Sequence, residues 1–289
     1  MLPPFVSPFG RLLCYLLQRS ECYQAKCKML PYFIKIFILI SFFSCEKVID
    51  VNLKEADKKI VIEGNISNIR NSPVEVKVSQ TKAFEESNNF DGVSGATVSI
   101  HVNDTSYALS EDSAGIYRTT ACKGVQGSTY QLTVTVNGAT YTSTSTMPPQ
   151  LVSLDTLTVE NITFGGSSNL TIFPNYQDPA GSGNNYRLVE YRNGVQIKRV
   201  FAQNDELSDG LIITRPLINP DGELKSGDSI RVDLQCIDAN MYKYWFSLDE
   251  SATGESQSAT PTNPITNISG GALGYFSAYS VSNYSVVIP

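Results

Sequence analysis

The chain has 289 residues, a formal net charge of −6 at pH 7 and one histidine. An acidic chain is repelled by phosphate backbones, so nucleic acid is excluded as a general partner. The single histidine, His101, leaves no His-based zinc site and no usual Ser–His triad unless this residue itself serves. Because His101 lies on the polar side of an alternating run, we expect it to be a solvated strand residue.

The N-terminal region carries the pattern of an export signal. The apolar run Ile34–Phe43 is about as long as a signal-peptide core and too short to span a bilayer. It is followed by Ser44 and then Cys45, and a small residue before a cysteine is what signal peptidase II requires. The pattern predicts that Cys45 is the lipidated first residue of the mature protein, with acyl chains such as palmitate. The alternative is a plain secretory signal, or an anchor helix, that happens to end in a cysteine.

We therefore interpret residues 1–44 as an N-terminal extension with a lipoprotein signal peptide, and residues 45–58 as a charged tether. Removing residues 1–44 takes away five of the 22 Lys and Arg and one of the 28 Asp and Glu, which leaves a charge of −10. Anionic lipid surfaces repel such a chain, so the acyl chains on Cys45 must hold it to the bilayer. Cys122 and Cys236 either form a bridge or, as we favour, remain two buried free thiols.

Residues 59–148 have the pattern of an immunoglobulin-like or transthyretin-like β-sandwich. β-branched residues alternate with polar ones, so each strand has one buried and one wet face. The predicted strands are 59–66, 74–79, 96–102, 107–109, 116–118, 130–136 and 140–146. Asn137-Gly138 is the strongest hairpin signal, and the exposed Thr/Ser edge ends at Met147-Pro148-Pro149, where we place a domain boundary.

Residues 149–289 predict a second, less regular β domain with one helix, so the fold class is all-β. The predicted strands are 151–159, 170–173, 186–192, 195–201, 212–215, 229–237, 273–279 and 284–288, with a second hairpin at Asn193-Gly194. The helix, at about 239–250, places Met241, Trp245 and Leu248 on one face, and Asp238 is its expected N-cap.

Several short motifs of turn and core residues occur along the mature chain. They are Cys45-Glu-Lys, Ile60–Gly64, Val93–Val98, Gly115–Tyr117, Gly127–Tyr130, Thr144–Pro148 and Gly274–Phe276. Together they resemble a Bacteroidetes outer-membrane lipoprotein family, a domain of unknown function numbered in the low four-thousands, whose genes neighbour TonB-dependent receptors. The resemblance implies an envelope-anchored β protein that works beside an outer-membrane receptor. It supplies no catalytic residue.

The sequence contains no Gly-rich phosphate loop, nucleophile elbow or HExxH motif, and we predict neither an enzyme nor a cofactor or metal site. The carboxylates of 204–210 and 219–223 suggest calcium ligands as an alternative, but Asp-Gly turns need no metal.

Aromatic residues are the stronger functional signal. Tyr242, Trp245, Tyr275 and Phe276 are our candidate contacts for a ligand or partner; the alternative is that such rings fill a core. The long loop Ser251–Gly271 is the second candidate, unless it only covers a sheet edge.

These features predict a lipid-anchored, non-enzymatic protein of the outer membrane, on either the cell surface or the periplasmic face. We expect it to be an accessory ligand-binding or docking partner of a TonB-dependent transporter. The alternative is a structural or adhesive surface lipoprotein.

Overall fold

The structure, a computed structural model, describes residues 57–82, 86, 89–164, 167–218, 222–253 and 263–289. Strands dominate this part of the chain, which confirms the predicted all-β class. Cys45, the predicted signal peptide and nearly all of the tether lie outside the described residues. Within the described ranges, no helix is both long enough and apolar enough to cross a membrane.

The elements follow the alternation of apolar and polar residues closely. They are β1 Ile60–Ser67, β2 Val74–Gln80, β3 Thr97–Val102, β4 Thr105–Ser113, β5 Ile116–Thr119, β6 Thr129–Val136, β7 Ala139–Thr146, β8 Thr156–Phe164, β9 Ser167–Gln177, β10 Asn185–Arg192, β11 Val195–Gln196, β12 Phe201–Asn204, β13 Ile212–Ile213, β14 Ser229–Ile237, α1 Ala239–Thr253 and β15 Leu273–Val287. The seven strands predicted in the first half are all confirmed.

Strands β1 to β7 form a sandwich around one apolar core. β1, β2 and β5 lie side by side, as do β3, β6 and β7, and the inward side chains of both groups share that core. β4 pairs with β3 through Thr105–Leu109 and with β5 from Ser110, with a bulge between Glu111 and Ser113. Because a bulge bends and twists a strand, β4 can pass from one layer to the other.

Strand β15 links the two halves of the chain. Its first part, Leu273–Tyr279, pairs in parallel with β1, and its second part, Ser280–Val287, pairs antiparallel with β14. One sheet therefore runs through both halves, in the order β11-β10-β14-β15-β1-β2-β5-β4-β3-β6-β7, with β12 also on β10. The described residues belong to one compact unit, Glu55–Pro289.

The second half has three layers. The small sheet β13-β9-β8 packs on one face of β10, β14 and β15 and encloses a second apolar core, which includes Tyr176, Leu188 and Leu234. Helix α1 packs on the opposite face of the same strands through Met241 and Trp245. Near α1, the strands of the middle layer are thus covered by the helix on one face and by the small sheet on the other. Farther from α1, the face that carries the helix is not covered by it.

Four strand predictions in this half need correction. Residues 151–155 are not strand, because Val152 and Leu154 donate their backbone N–H groups to side chains, Cys236 Sγ and Ser282 Oγ. The predicted strand 195–201 is split into β11 and β12 along one edge of β10, since Val200 between them packs into the cluster at α1. The predicted strand 212–215 is shorter in the structure, where it is the two-residue strand β13.

The fourth correction concerns the C-terminus. Residues 273–279 and 284–288 were expected as separate strands around the polar segment Ser280–Asn283, but that segment pairs with β14 and keeps β15 continuous. A single strand of 15 residues results.

Asp238 caps α1 as predicted and also fastens it to the sandwich. Its Oδ1 accepts the N–H of Met241 at 2.9 Å, the usual N-cap bond to the third residue of a helix. Its Oδ2 accepts the N–H of Thr146 at 3.1 Å and the hydroxyl of Ser145. One carboxylate therefore satisfies donors from the helix start and from the end of β7.

Cys122 and Cys236 are buried free thiols in the first and second cores, which confirms the favoured interpretation. His101 is exposed on β3, as expected, with its Nδ1 3.2 Å from Ser106 Oγ. The predicted domain boundary at Met147–Pro149 coincides with the end of β7. Most residues of the first core precede this boundary, and the residues of the second core follow it. Since β15 contributes to both halves, the division into 59–148 and 149–289 stays a prediction about folding units.

Candidate functional site

The face of the middle sheet that carries α1 holds aromatic and charged side chains in register. Arg187 and Tyr191 of β10 lie on this face, because alternate residues of a strand point the same way. Tyr275 and Tyr279 of β15 share it, and Glu63 of β1 lies opposite Tyr275 in the parallel pairing. We call this surface, defined by Arg187, Tyr191, Trp245, Tyr275 and Tyr279, the arginine–aromatic face.

Arg187 is the central charge of this surface. Its guanidinium carbon lies 3.5 Å from the centroid of the Trp245 ring, which is close cation–π stacking. Its polar contact with the described residues is one long hydrogen bond, from Nη1 to Gln235 Oε1 at 3.4 Å. Among the described residues no carboxylate lies within ion-pairing distance of Arg187, although every other arginine of β10 and β14 has one within 4 Å.

Three aromatic rings form the base of the site. The centroids of Trp245, Tyr244 and Tyr275 lie 4.8 to 5.0 Å from one another, within the range of favourable edge and tilted ring contacts. Tyr275 Oη accepts a hydrogen bond from Asn65 Nδ2 at 3.3 Å. Trp245 is 6% exposed, and its indole N–H has no hydrogen-bond partner among the described residues. This cluster fixes the position of the arginine above it.

Loss of water around these groups perturbs their proton equilibria. Desolvation lowers the pKa of Arg187, since burial disfavours the charged form of a base. Desolvation raises the pKa of Tyr275, an effect that the charge of Arg187 partly offsets, and it raises the pKa of Tyr279 to about 12. The tyrosines are thus neutral hydroxyls at physiological pH, and the arginine is the charge that the surface offers.

The four predicted contact residues occupy different environments. Phe276 is completely buried in the sandwich core, which favours the core-filling interpretation for that ring. Trp245 and Tyr275 belong to the buried cluster at α1, where Trp245 lies under Arg187. Tyr242 is only partly buried on α1, with its ring centroid 5.6 Å from that of Phe246. Three of the four therefore lie at or beside the arginine–aromatic face, and their contact role stays a prediction.

Sequence reasoning missed Arg187 itself. It stands in the alternating run of β10 as one polar residue among several, and Trp245 is 58 positions away. The only signal in the chain was a charged residue beside Tyr186, Leu188 and Val189 in a largely apolar strand.

The described part of the predicted binding loop covers the edge of β7. Ser269 donates its backbone N–H to Thr142 O at 2.8 Å, and Ser143 Oγ donates to Asn267 O at 2.8 Å. Residues 254–262 of the loop lie outside the described residues. The described segment thus matches the alternative interpretation, in which the loop protects the exposed Thr/Ser edge from pairing with other chains.

A shallow polar cleft remains between this segment, β7 and the start of α1. It measures about 350 Å³ and is lined by hydroxyl and amide side chains together with Lys243. The cleft is where the two sequence-based candidates, the loop and the Thr/Ser edge, meet in the structure.

Three carboxylates also converge near the small sheet: Asp178, Asp205 and Asp209 have oxygens within 4.8 Å of one another. Asp205 and Asp209 belong to the acidic segment 204–210 considered for calcium. Their oxygens accept hydrogen bonds from Gly181, Gly183, Asn184, Gly210 and Tyr186. These bonds tie the loop after β9 to the loop after β12, so the carboxylates have a structural role without an ion. The other acidic segment, 219–223, lies mostly outside the described residues.

Fold and site together define an all-β protein with a β-sandwich and a second, helix-covered sheet that presents an arginine–aromatic face. A family profile described as a domain of unknown function, DUF4249, matches residues 46–285. The chain therefore belongs to the DUF4249 family, which confirms the family number range expected from the sequence motifs. No curated protein matches the chain significantly.

Proposed function

We propose that this protein is a lipid-anchored, non-enzymatic component of a bacterial outer membrane that binds a ligand for, or docks on, a TonB-dependent transporter. The observation that carries the proposal is the position of Cys45. It ends an export-type apolar run, and the family match begins at the next residue, 46. An acyl group on Cys45 would thus lie directly before the family match, and the predicted tether, which ends at residue 58, would connect it to β1 at Ile60.

The transporter context is supported by the resemblance of the sequence motifs to Bacteroidetes lipoproteins whose genes neighbour TonB-dependent receptors. The build of the protein is compatible with that role. A continuous sheet gives a rigid scaffold, and rigid scaffolds present binding groups at low entropic cost. The arginine–aromatic face and the polar cleft beside β7 are the two surfaces that offer such groups.

Anchoring is tested with Cys45→Ala. We expect the variant to be unlabelled by radioactive palmitate and to leave the membrane fraction, because a chain without acyl groups has no apolar anchor. Cys27→Ala is the matched control, since it removes a thiol upstream of the proposed cleavage site and should leave labelling unchanged. Continued labelling of Cys45→Ala would refute the lipidation site.

The transporter partnership is tested by co-purification from membranes solubilised in mild detergent. We expect a barrel-forming TonB-dependent receptor to accompany the tagged wild-type protein. A protein that is consistently recovered alone would contradict the proposal. Deletion of the gene adds a physiological arm: loss of growth on a particular nutrient supports uptake, whereas loss of adhesion with normal growth supports the adhesive alternative.

A further inference from the structure

Arg187 holds a positive charge that is partly removed from water, and no described residue places a counter-charge beside it. Transfer of an ion out of water costs several kcal/mol, and proteins usually offset this with a partner of opposite charge. The Trp245 ring offsets part of the cost by cation–π attraction. No carboxylate among the described residues supplies the rest, since none pairs with Arg187.

The guanidinium also keeps unused donors. Nη1 makes the one long bond to Gln235, and no bond from Nε or Nη2 to a described residue exists. Neither atom is fully enclosed, and the Arg187 side chain is half-buried, so the guanidinium keeps some access to solvent. A planar guanidinium with two free N–H groups binds a carboxylate through two parallel hydrogen bonds.

Two acidic side chains of the same face, Asp233 and Glu63, form no ion pair with Arg187. Asp233 has an oxygen 3.1 Å from Arg231 Nε, and Arg231 in turn stacks on Tyr191 at 4.1 Å. Glu63 lies on β1, three strands from β10 in the sheet order, and the Lys77 opposite it pairs with Glu75 at 3.6 Å. Among the described residues of this face, Arg187 is therefore the base that an incoming anion meets without a carboxylate partner.

Ring faces and hydroxyls surround the arginine. Tyr191 and Tyr279 are partly exposed on the same face, and both lie close enough to influence the Arg187 charge, as do Tyr244 and Tyr275. Partly exposed tyrosines offer an apolar ring to the C–H face of a sugar and a hydroxyl to its oxygens. A ring-shaped, hydroxylated ligand that bears a carboxylate combines both requirements.

We propose that the arginine–aromatic face is a binding site for acidic sugars, in which Arg187 receives the carboxylate of a hexuronic acid and Tyr191 and Tyr279 contact its ring. The proposal deepens the ligand-binding part of the proposed function and rests on it. It assigns no role to the polar cleft beside β7.

Trp245 makes the site directly observable, because it is the only tryptophan of the chain and lies in contact with Arg187. The full-length protein is titrated with D-glucuronate while Trp245 fluorescence is recorded, and calorimetry provides a readout that does not depend on the indole. We expect saturation in the millimolar range, as is typical of a single exposed anion pair plus ring contacts, and at least tenfold weaker binding of the neutral sugar D-glucose. Equal binding of both sugars, or no saturable signal from either, would overturn the proposal.

Variants of Arg187 test whether binding depends on its charge and its planar shape. Arg187→Gln should abolish binding, and Arg187→Lys, which keeps the charge but loses the planar fork, should weaken it several-fold. Arg118→Gln is the matched control, since Arg118 is also on an outward strand face but pairs with Glu75 at 2.7 Å; its binding should equal that of the wild type. Circular dichroism of each variant checks that the fold is retained. Unchanged glucuronate binding by Arg187→Gln would refute the assignment.

Binding of benzoate tests whether the site recognises a sugar ring as well as a carboxylate, because benzoate presents a carboxylate on a flat apolar ring without hydroxyls. Weaker binding of benzoate than of glucuronate supports the proposal, and equal or tighter binding overturns the sugar assignment. Failure of these titrations alongside successful co-purification with a transporter would count against this site alone. Glucuronate binding without any transporter association would count against the proposed function alone.

Discussion

Gly274 lies where β15 pairs with β1, opposite Ile62, and its replacement by alanine should weaken the fold strongly. Its φ of +94° lies in a region that side chains disfavour, and a Cβ there would be 2.0 Å from Ile62 O on β1. Gly271, three residues earlier, has a similar φ of +84°, but a Cβ there has nothing within 4 Å. The two glycines therefore share the backbone conformation and differ in crowding.

The expected magnitudes follow from this difference. Alanine at positive φ costs about 1–2 kcal/mol, and this applies to both positions. At Gly274 the clash with Ile62 must also push β15 away from β1, and losing two or three hydrogen bonds of their parallel pairing adds about 1 kcal/mol each. We expect losses of about 1–2 kcal/mol for Gly271→Ala and about 3–5 kcal/mol for Gly274→Ala.

Urea unfolding followed by Trp245 fluorescence measures both values, since Trp245 packs against Tyr275, next to Gly274. With an m-value of about 2–3 kcal/mol per M, the midpoint should fall by about 0.4–0.8 M for Gly271→Ala and by at least 1 M for Gly274→Ala. The effect on the unfolded chain is the same for both substitutions, so it cancels in the comparison. Equal losses at the two positions would refute the argument that contact with β1 sets the cost.

Two further predictions concern single carboxylates. Asp238→Ala should lower the free energy of unfolding by about 2–3 kcal/mol, because it removes the N-cap of α1 and the acceptor for the Thr146 N–H. Asp238→Asn should keep most of the cap and lose less stability, so equal losses for the two variants in urea unfolding would contradict this explanation. Burial raises the pKa of Glu190, and Arg192 offsets this only in part. Since the folded state then holds the Glu190 proton more tightly than the unfolded chain, the ionised carboxylate lowers stability above its folded pKa, and the penalty vanishes below the unfolded value near 4.5. Glu190→Gln should therefore stabilise the protein by about 1 kcal/mol at pH 8 and not at pH 4 in thermal unfolding; a gain independent of pH would contradict the explanation.

Local features of this protein were decided by its sequence alone. Alternation of β-branched and polar residues predicted β1 to β7, because burial of one strand face depends only on the period of two. Asn137-Gly138 and Asn193-Gly194 predicted tight hairpins, and all four residues have positive φ, which is the conformation that such turns require. Asp238 was identified as the N-cap of α1, since a cap depends on the next three residues.

Non-local pairings were decided only by the tertiary structure. The polar segment Ser280–Asn283 suggested a break, yet β15 continues through it because β14 supplies backbone partners there, and no sequence period encodes which strand that partner is. The arginine–aromatic face has the same origin. From the sequence, Arg187 is an ordinary solvated residue of β10. In the structure, α1 packs on the sheet and places Trp245 under the Arg187 guanidinium. The state of a charge depends on what surrounds it, and those surroundings come from segments that are distant in the chain.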